Sequence, residues 1–544
     1  MKNAIIIASF ALLFIIQQPT HAQEGFFKTY LSGGNNFASS AVIETDDGSF
    51  IVAVNDDLFG NGYSHCAKLF KISAEGDSLG YVTIDDPDKF CYLTNFFRHP
   101  NNHDVFIGTG MYVFRDANSS NYLAHPYLIQ FNDQLDITLR KQVEWPAEFD
   151  GTNAYRPHTI LNSNKLLFGE YVIYTPDAPD HDYRRLFTEM TPEGDFKRIV
   201  EDTHDLIPTG CGAEAIFEFP AMKRMGSFRN GYVEEGNPNA GNVHKLFRLD
   251  DGLVASELNE MNRFGDDTLS YTYHLISLRF NMLDQGKTDI LPLNDTTLLF
   301  SMGVTENWYR IFPQYDSTLM VIDNSAVIFK TDVDGNMRQY AILGSYNDSI
   351  EMVPLGSIAI TDSDMVGHRD IYHCCYSVYD YMWEAPNTLT INKLDDNLQV
   401  IWCKPYTIPE LYLEAHNLIA TSDGGCLVVG SVTRGFEMPY SFGEREEWFV
   451  LKLNADGTVG TDEDNLVVRP YAFYPNPVKE QVLMQFSPDV QPAQVELYDL
   501  QGRLVRTQRS NFEHIDMGQL PAGTYTMRVV LENGMVYSDK VVKE

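Results

Sequence analysis

A short motif, Lys452-Leu453-Asn454-Ala455-Asp456-Gly457, recurs in degenerate form along most of this 544-residue chain and restricts its fold more than any other feature. The other copies begin at Lys71 (KISAEG), Gln130 (QFNDQL), Glu189 (EMTPEG), Arg248 (RLDDGL), Lys330 (KTDVDG) and Lys393 (KLDDNL). Their second residues fall at 72, 131, 190, 249, 331, 394 and 453. The spacing is about 59 residues, with one unit longer by about 23. Such a period marks a repeat architecture, in which each unit buries its apolar faces against its neighbours.

Within one unit the pattern is strand and turn. From Ser39 to Ile84 an apolar run meets Asp46-Asp47-Gly48, then come Ser49–Val54, a polar loop, Cys66–Ile72, an AEGD turn and Leu79–Ile84. This parses as four short strands. Asp-Gly pairs recur because tight hairpin turns need a positive φ, which glycine supplies without a Cβ clash. Runs such as Leu427-Val428-Val429 and Trp448–Leu453 are apolar on successive residues, so both faces of the sheet are expected to be buried. Seven four-stranded units predict an all-β chain with a seven-bladed β-propeller over residues 23–460. A row of β-sandwiches is the competing reading, but sandwiches would not share one turn at one spacing. The long unit contains the region Phe264–Tyr315, with Trp308–Asp316 reading WYRIFPQYD. Insertions of this kind map to loops on one face, where binding usually lives.

The best copies, Asp423-Gly424-Gly425-Cys426-Leu427-Val428-Val429-Gly430 and Leu451-Lys452-Leu453-Asn454-Ala455-Asp456-Gly457, resemble secreted bacterial propeller-like repeat proteins. That resemblance is architectural and brings no catalytic residues with it.

Residues 461–466 turn polar and acidic and read as a linker. Beyond them, 467–544 show strand-like runs separated by Gln501-Gly502 and Asn533-Gly534 turns, with Pro475 and Pro477 favouring an extended start. A small antiparallel β-sandwich fits. Its motifs are Tyr474-Pro475-Asn476-Pro477, Leu497-Tyr498-Asp499-Leu500-Gln501-Gly502-Arg503, Leu520-Pro521-Ala522-Gly523-Thr524-Tyr525 and Lys540-Val541-Val542-Lys543. In order, spacing and terminal position they resemble the type A C-terminal sorting domain of the bacterial type IX secretion system. The resemblance implies passage across the outer membrane by the type IX machinery. It also implies removal of the domain on the far side, with the cargo attached to surface lipopolysaccharide or released. Pro475, Asn476, Pro477, Gly502, Gly523, Tyr525, Lys540 and Lys543 carry it, the two lysines lying on the strand that the resemblance implicates in recognition. An appended binding sandwich is the alternative.

The other end agrees with export. Lys2, the apolar run Ala4–Ile16 and Thr20-His21-Ala22 before Gln23 read as a signal peptide over residues 1–22. Ala4–Ile16 is short of the roughly 20 residues that span a bilayer, and no later run approaches that length, so no membrane helix is expected. Gln23 is not a cysteine, which argues against lipid anchoring. The 75 acidic and 40 basic residues give a net charge of −35; a phosphate backbone would be repelled, so nucleic acid is not an expected partner. Seven cysteines are too few and odd in number for a disulfide framework; one or two bridges, or buried free thiols, both fit.

No GxSxG, HExxH or P-loop pattern is present. Asp332-Val333-Asp334-Gly335-Asn336 lacks the further acidic residue and the closing Glu of a calcium loop and reads as a repeat turn. His368, His373 and Cys374 lie in the stretch DMVGHRDIYHCCYSVYDYMW and are candidate metal ligands. Cys374 and Cys375 point to opposite strand faces, so a metal site is not assigned and no cofactor is expected. Trp308, Tyr309, Tyr315, Tyr379 and Tyr381 are the ligand-binding candidates, as loop aromatics able to stack on sugars or pack on protein. The reading is a non-enzymatic surface or secreted propeller that binds a glycan or protein. An extracellular propeller enzyme acting on polysaccharide or peptide, or a structural surface component, are the rivals.

One geometric expectation is specific. Tyr30 and Tyr406 each lie 17 positions before the Asp of an Asp-Gly turn, Asp47 and Asp423, which aligns Phe26–Tyr30 with Trp402–Tyr406. The N-terminal segment is therefore predicted to be the outer strand of the seventh blade, paired along Glu447–Leu453. The tail, being separately cored, is predicted to make few contacts with the ring.

Overall fold

The computed structural model describes residues 25–31, 37–56, 67–84, 90–115, 122–142, 158–162, 165–171, 185–202, 213–219, 224–232, 242–249, 255–260, 289–294, 296–304, 325–332, 337–343, 350–361, 368–379, 388–408, 411–434, 447–459, 471–474, 478–486, 491–532 and 536–544. After β1 (Phe26–Leu31), blade 1 is β2 (Phe37–Glu44), β3 (Phe50–Asp56), β4 (Ala67–Ile72) and β5 (Ser78–Ile84). Blade 2 is β6 (Phe90–Arg98), β7 (Phe106–Arg115), β8 (Tyr122–Phe131) and β9 (Ile137–Gln142). Blade 3 is β10 (His158–Asn162), β11 (Lys165–Tyr171), β12 (Arg185–Met190) and β13 (Phe196–Asp202). Blade 4 is β14 (Ala213–Phe219), β15 (Arg224–Tyr232), β16 (Asn242–Leu249) and β17 (Ala255–Glu260). Blade 5 is β18 (Asp289–Asn294), β19 (Thr297–Val304), β20 (Ser325–Asp332) and β21 (Met337–Leu343). Blade 6 is β22 (Ile350–Ile360), β23 (Ile371–Tyr379), β24 (Thr388–Leu394) and β25 (Val400–Thr407). Blade 7 takes β26 (Leu411–Ala420), β27 (Cys426–Arg434) and β28 (Glu447–Leu453) from its own stretch of chain and β1 from the N-terminus.

Each blade is a four-stranded antiparallel sheet. The first strands of successive blades touch one another all the way round, and β26 touches β2 to close the ring. This is a seven-bladed β-propeller. The predicted closure is present: β1 pairs with β28 from Phe26 opposite Lys452 to Leu31 opposite Glu447. Phe27 stacks on Phe449 with centroids 5.8 Å apart, and Tyr30 on Trp448 at 4.4 Å.

The doubly apolar runs have the cause expected of them. Every residue of β28 is buried. Phe449, Leu451 and Leu453 face a core shared with blade 6, while Trp448 and Val450 face Phe50, Val52, Phe70 and Ile72 of blade 1. Burying a side chain of this size contributes roughly 1.5–3 kcal/mol, and a blade in a ring buries both of its faces.

Antiparallel order puts the turns joining strands 1 to 2 and 3 to 4 on one face of the ring, and the 2 to 3 loops and blade-to-blade connections on the other. The longest connections, 143–157, 172–184, 261–288, 305–324 and 435–446, all leave and rejoin the described strands on that second face. The long unit's region Phe264–Tyr315, in which the sequence places the extra residues, is divided by two strands. Residues 289–304 hold β18 and the whole of β19 within blade 5, so the extra length falls in 261–288 and 305–324.

The tail holds β29 (Tyr471–Tyr474), β30 (Gln481–Phe486), β31 (Pro492–Asp499), β32 (Leu504–Gln508), β33 (His514–Asp516), β34 (Gly523–Leu531) and β35 (Val536–Lys543). Its two sheets, β29-β30-β33 and β32-β31-β34-β35, share one core built from Val482, Met484, Val495, Leu497, Ile515, Met527, Val529 and Val541. The tail meets the ring through the short strand β29, which lies beside β1 and β5 at the seam where the ring closes. The signal segment 1–22 and the linker 461–466 lie outside the described residues.

Candidate functional site

Of the five ligand-binding candidates, Tyr379 alone falls within the described residues. Trp308, Tyr309 and Tyr315 belong to 305–324 and Tyr381 to 380–387, all outside the described residues. Tyr379 is the last residue of β23, paired with Ile350. Its strand therefore delivers it to the same face on which β19 ends and β20 begins, one blade away.

The opposite face explains the repeat motif. In blade 7 the turn after β26 is held by the Thr421 hydroxyl, which donates to Asp423 Oδ1 at 2.6 Å, and by the Gly425 amide, which donates to the same oxygen at 3.0 Å. The other carboxylate oxygen accepts from Lys452 Nζ at 2.8 Å, and this ammonium also donates to the Leu453 carbonyl at 2.9 Å. Burial works to raise the Asp423 carboxyl, but Lys452, Thr421 and Gly425 outweigh it and hold the group below the usual carboxylate range. Gly425 is required by space: an added Cβ would lie 2.1 Å from the Leu453 carbonyl oxygen and 2.8 Å from Lys452 Nζ. Asp423, from the turn after β26, and Lys452, at the head of the motif, are thus a buried cross-strand ion pair that sets the blade. Sequence reasoning missed this pair, although its signal was visible as a Lys at the head of most copies and an Asp in the preceding turn.

The metal candidates do not converge. His373 is fully buried, with Nε2 2.8 Å from Ser301 Oγ of blade 5 and, among the described residues, no partner for Nδ1. Burial depresses its pKa to about 4. Cys374 and Cys375 are buried free thiols on opposite faces, in the cores shared with blades 7 and 5; burial pushes both thiols up. His368 sits at the other end of the strand on the tight-turn face, 3.5 Å from Asp396. Among the described residues no group of three His, Cys, Asp or Glu is placed to hold a metal ion. Asp332 pairs with Arg338, and 333–336 lie outside the described residues.

In the tail, Pro475, Asn476 and Pro477 lie outside the described residues. Gly502, at φ 76°, closes a turn in which Asp499 accepts from the amides of Gln501 at 3.0 Å and Arg503 at 2.9 Å. Tyr525 is buried and its hydroxyl donates to the Pro521 carbonyl at 2.7 Å, which joins two parts of one motif. Gly523 pairs with Lys543 across β34 and β35, and Thr526 with Lys540. The two lysines differ in setting: Lys540 is exposed, whereas Lys543 is buried, its ammonium on the Glu544 carbonyl.

Among the described residues no helix is long and apolar enough to cross a membrane. No curated protein matches the chain. Among solved structures it is similar to the GH93 α-L-arabinofuranosidase of Fusarium graminearum with arabinobiose, at 8% identity over 79% of this chain and 97% of that one, with a TM-score of 0.36. It is similar to the Penicillium chrysogenum α-L-arabinanase with arabinobiose, at 10% over 79% and 98%, TM-score 0.38. It is also similar to extracellular domains 1–2 of Drosophila semaphorin 1a, at 9% over 78% and 87%, TM-score 0.36. Likeness at this level follows the course of the chain only, and the blade count rests on the sheet pairing above. Residues 472–544 match the family described as the secretion system C-terminal sorting domain. The chain therefore carries a type IX sorting tail, which directs it across the outer membrane to the cell surface or the medium.

Proposed function

We propose that the exported propeller binds an extracellular glycan or protein through the face that carries the long connections. One observation supports this reading: the five longest connections all belong to one face, while the tight turns on the other are occupied by ion pairs and side-chain caps. Binding residues concentrate on loops held by a rigid scaffold. Trp308, Tyr309, Tyr315 and Tyr381 lie in two such segments of adjacent blades, with Tyr379 at the strand end between them. The route is completed by removal of residues 1–22 on export and of the tail at the surface, with attachment to lipopolysaccharide or release.

The test is a screen of the purified protein against glycans and extracellular proteins, with turnover followed in the same samples. Trp308→Ala with Tyr309→Ala is expected to weaken binding about tenfold or more while leaving the thermal midpoint in place, since loop substitutions contribute little to blade packing. Undiminished binding would move the site elsewhere, and loss of the fold would make those rings core. Turnover of a polysaccharide or peptide would replace the binding reading with an enzymatic one.

A further inference from the structure

Sheet edges are where another chain can add a strand, because an edge leaves N–H and C=O groups unpaired. The tail's two sheets end in four such edges, β29, β33, β32 and β35. Strand β29 lies beside β1 and β5 of the ring. Strand β33 is three residues long and is covered by side chains of β32: Arg506 reaches Asp516 at 3.1 Å, and Gln508 Nε2 donates to the His514 carbonyl at 2.9 Å. The end of β35 is taken by Val478, whose amide donates to the Val542 carbonyl at 2.7 Å and whose carbonyl accepts from the Glu544 amide at 2.9 Å. Among the described residues β32 is paired with β31 alone, and no backbone bridge reaches its far side.

That edge is also apolar where natural edges are usually guarded. Leu500 is 76% exposed, Leu504 51% and Val505 38%. These are three of the eight exposed large apolar residues among the described residues, within six consecutive positions. Charge sets the same hairpin apart. Arg503, Arg506 and Arg509 stand against Asp499 alone between 499 and 509, in a chain of net charge −35. The Arg503–Asp499 pair, at 2.7 Å, is formed by an arginine that is 76% exposed, and ion pairs in that setting exchange partners at little cost.

We propose that the tail is docked through the open edge of β32 and the Leu500–Val505 tip, by addition of an extended, acidic strand of the export machinery. The apolar tip supplies buried contact, the arginines select the acidic partner, and the backbone edge supplies register. The terminal strand serves a different purpose: with Lys543 buried and Val478 on its edge, β35 holds the tail together.

The test is export of the full chain in a native type IX host. Leu500→Asp, and separately Leu504→Lys with Val505→Lys, are expected to lower surface and medium protein about tenfold or more, with the chain accumulating in the periplasm. Protease resistance of the tail and the thermal midpoint of the periplasmic protein are read alongside, to show that it is folded. Should the double variant lose its fold, Leu500→Asp decides, because Leu500 lies in a turn outside the core. Export at the parental level from folded variants overturns the proposal. So does a dimer of the parent chain that these variants abolish without affecting export, which would assign the edge to a second copy.

Discussion

Blades 1 and 7 carry nearly the same turn, TDDGS at 45–49 and TSDGG at 421–425, and the residue after its glycine decides how deep the ion pair lies. In both, a threonine hydroxyl donates to the turn aspartate, at 2.5 Å from Thr45 and 2.6 Å from Thr421, and glycine follows at positive φ, 78° at Gly48 and 82° at Gly424. Next comes Ser49 in blade 1 and Gly425 in blade 7. Without a side chain at 425, Lys452 enters fully, 0% exposed and 2.8 Å from Asp423, itself 8% exposed. Beside the buried Ser49, Lys71 stays 3.5 Å from an Asp47 that is 55% exposed. One motif therefore yields a buried pair and a surface pair in adjacent blades of one ring.

The largest expected effect separates the two copies. Lys452→Ala leaves Asp423 buried without its cation and is expected to cost about 3–5 kcal/mol, whereas Lys71→Ala costs about 0–1 kcal/mol. Denaturant titration of both variants measures the gap; equal losses would mean that depth is not what distinguishes them. The sign of the pH dependence follows. Asp423 is held below its usual range in the folded state, so its stability is complete above about pH 4 and is lost as pH falls through the folded value. Lys452→Ala is expected to flatten that acid limb.

Blade 6 offers a buried group of the opposite sign. His373 stays neutral down to about pH 4 in the fold, against 6.5 for an ordinary imidazole. The unfolded chain takes up the proton first, so stability falls as pH drops from 6.5 towards 4, by about 3 kcal/mol in all. His373→Asn should remove that slope while leaving the limb due to Asp423. Thermal melts between pH 7 and 4 are the measurement.

Smaller still is the exchange of the distinguishing residue. Gly425→Ser is expected to cost about 1–3 kcal/mol by overpacking and to make Lys452 resemble Lys71, with its removal then nearly neutral. At the low end are two tyrosines that clamp neighbouring blades, Tyr30 on the Gly76 carbonyl and Tyr406 on the Gly457 carbonyl, each at 2.7 Å. Tyr30→Phe and Tyr406→Phe should each cost about 1 kcal/mol. A much larger loss for Tyr30 would show that the closing strand is held more weakly than a continuous blade.

Those tyrosines show how much was legible beforehand. Their equal distance from an Asp-Gly turn was enough to place β1 in blade 7, because the two strands must present the same ring and hydroxyl to the same turn of the next blade. The repeat period gave seven units for the same reason, and the tail motifs gave the export route. Blade 5 was obscured where the motif was absent. Its first turn, between Asn294 and Thr297, has no Asp-Gly pair, so β18 and β19 were absorbed into an apparent insertion. The loop-face aromatics were nominated from composition and connectivity, and the tail's open edge had no sequence signal, since exposure of Leu500 depends on which strands lack neighbours.

What the sequence determined by itself was local. Alternation set the strands, and turn chemistry set where they reverse. Two of the three copies that end in leucine rather than glycine mark the limit. Leu135 and Leu398 stand where other copies have glycine, yet hold the same left-handed conformation, at φ 66° and 55°, at a cost of roughly 1–2 kcal/mol for a residue with a Cβ. Where the turn has glycine, the neighbouring outer strand fills the space: an added Cβ at Gly457 would lie 2.9 Å from the Lys404 side chain. Where it has leucine, the outer strand of the preceding blade contributes to the same core, Val82 to the one that holds Leu135 and Ala341 to the one that holds Leu398, and both leucines are buried. Burial of a leucine contributes roughly 1.5–3 kcal/mol and offsets the backbone cost. Only the packing of one blade on the next decides that a leucine can do what glycine does, because the core that buries it is built partly from residues about 55 positions away in sequence.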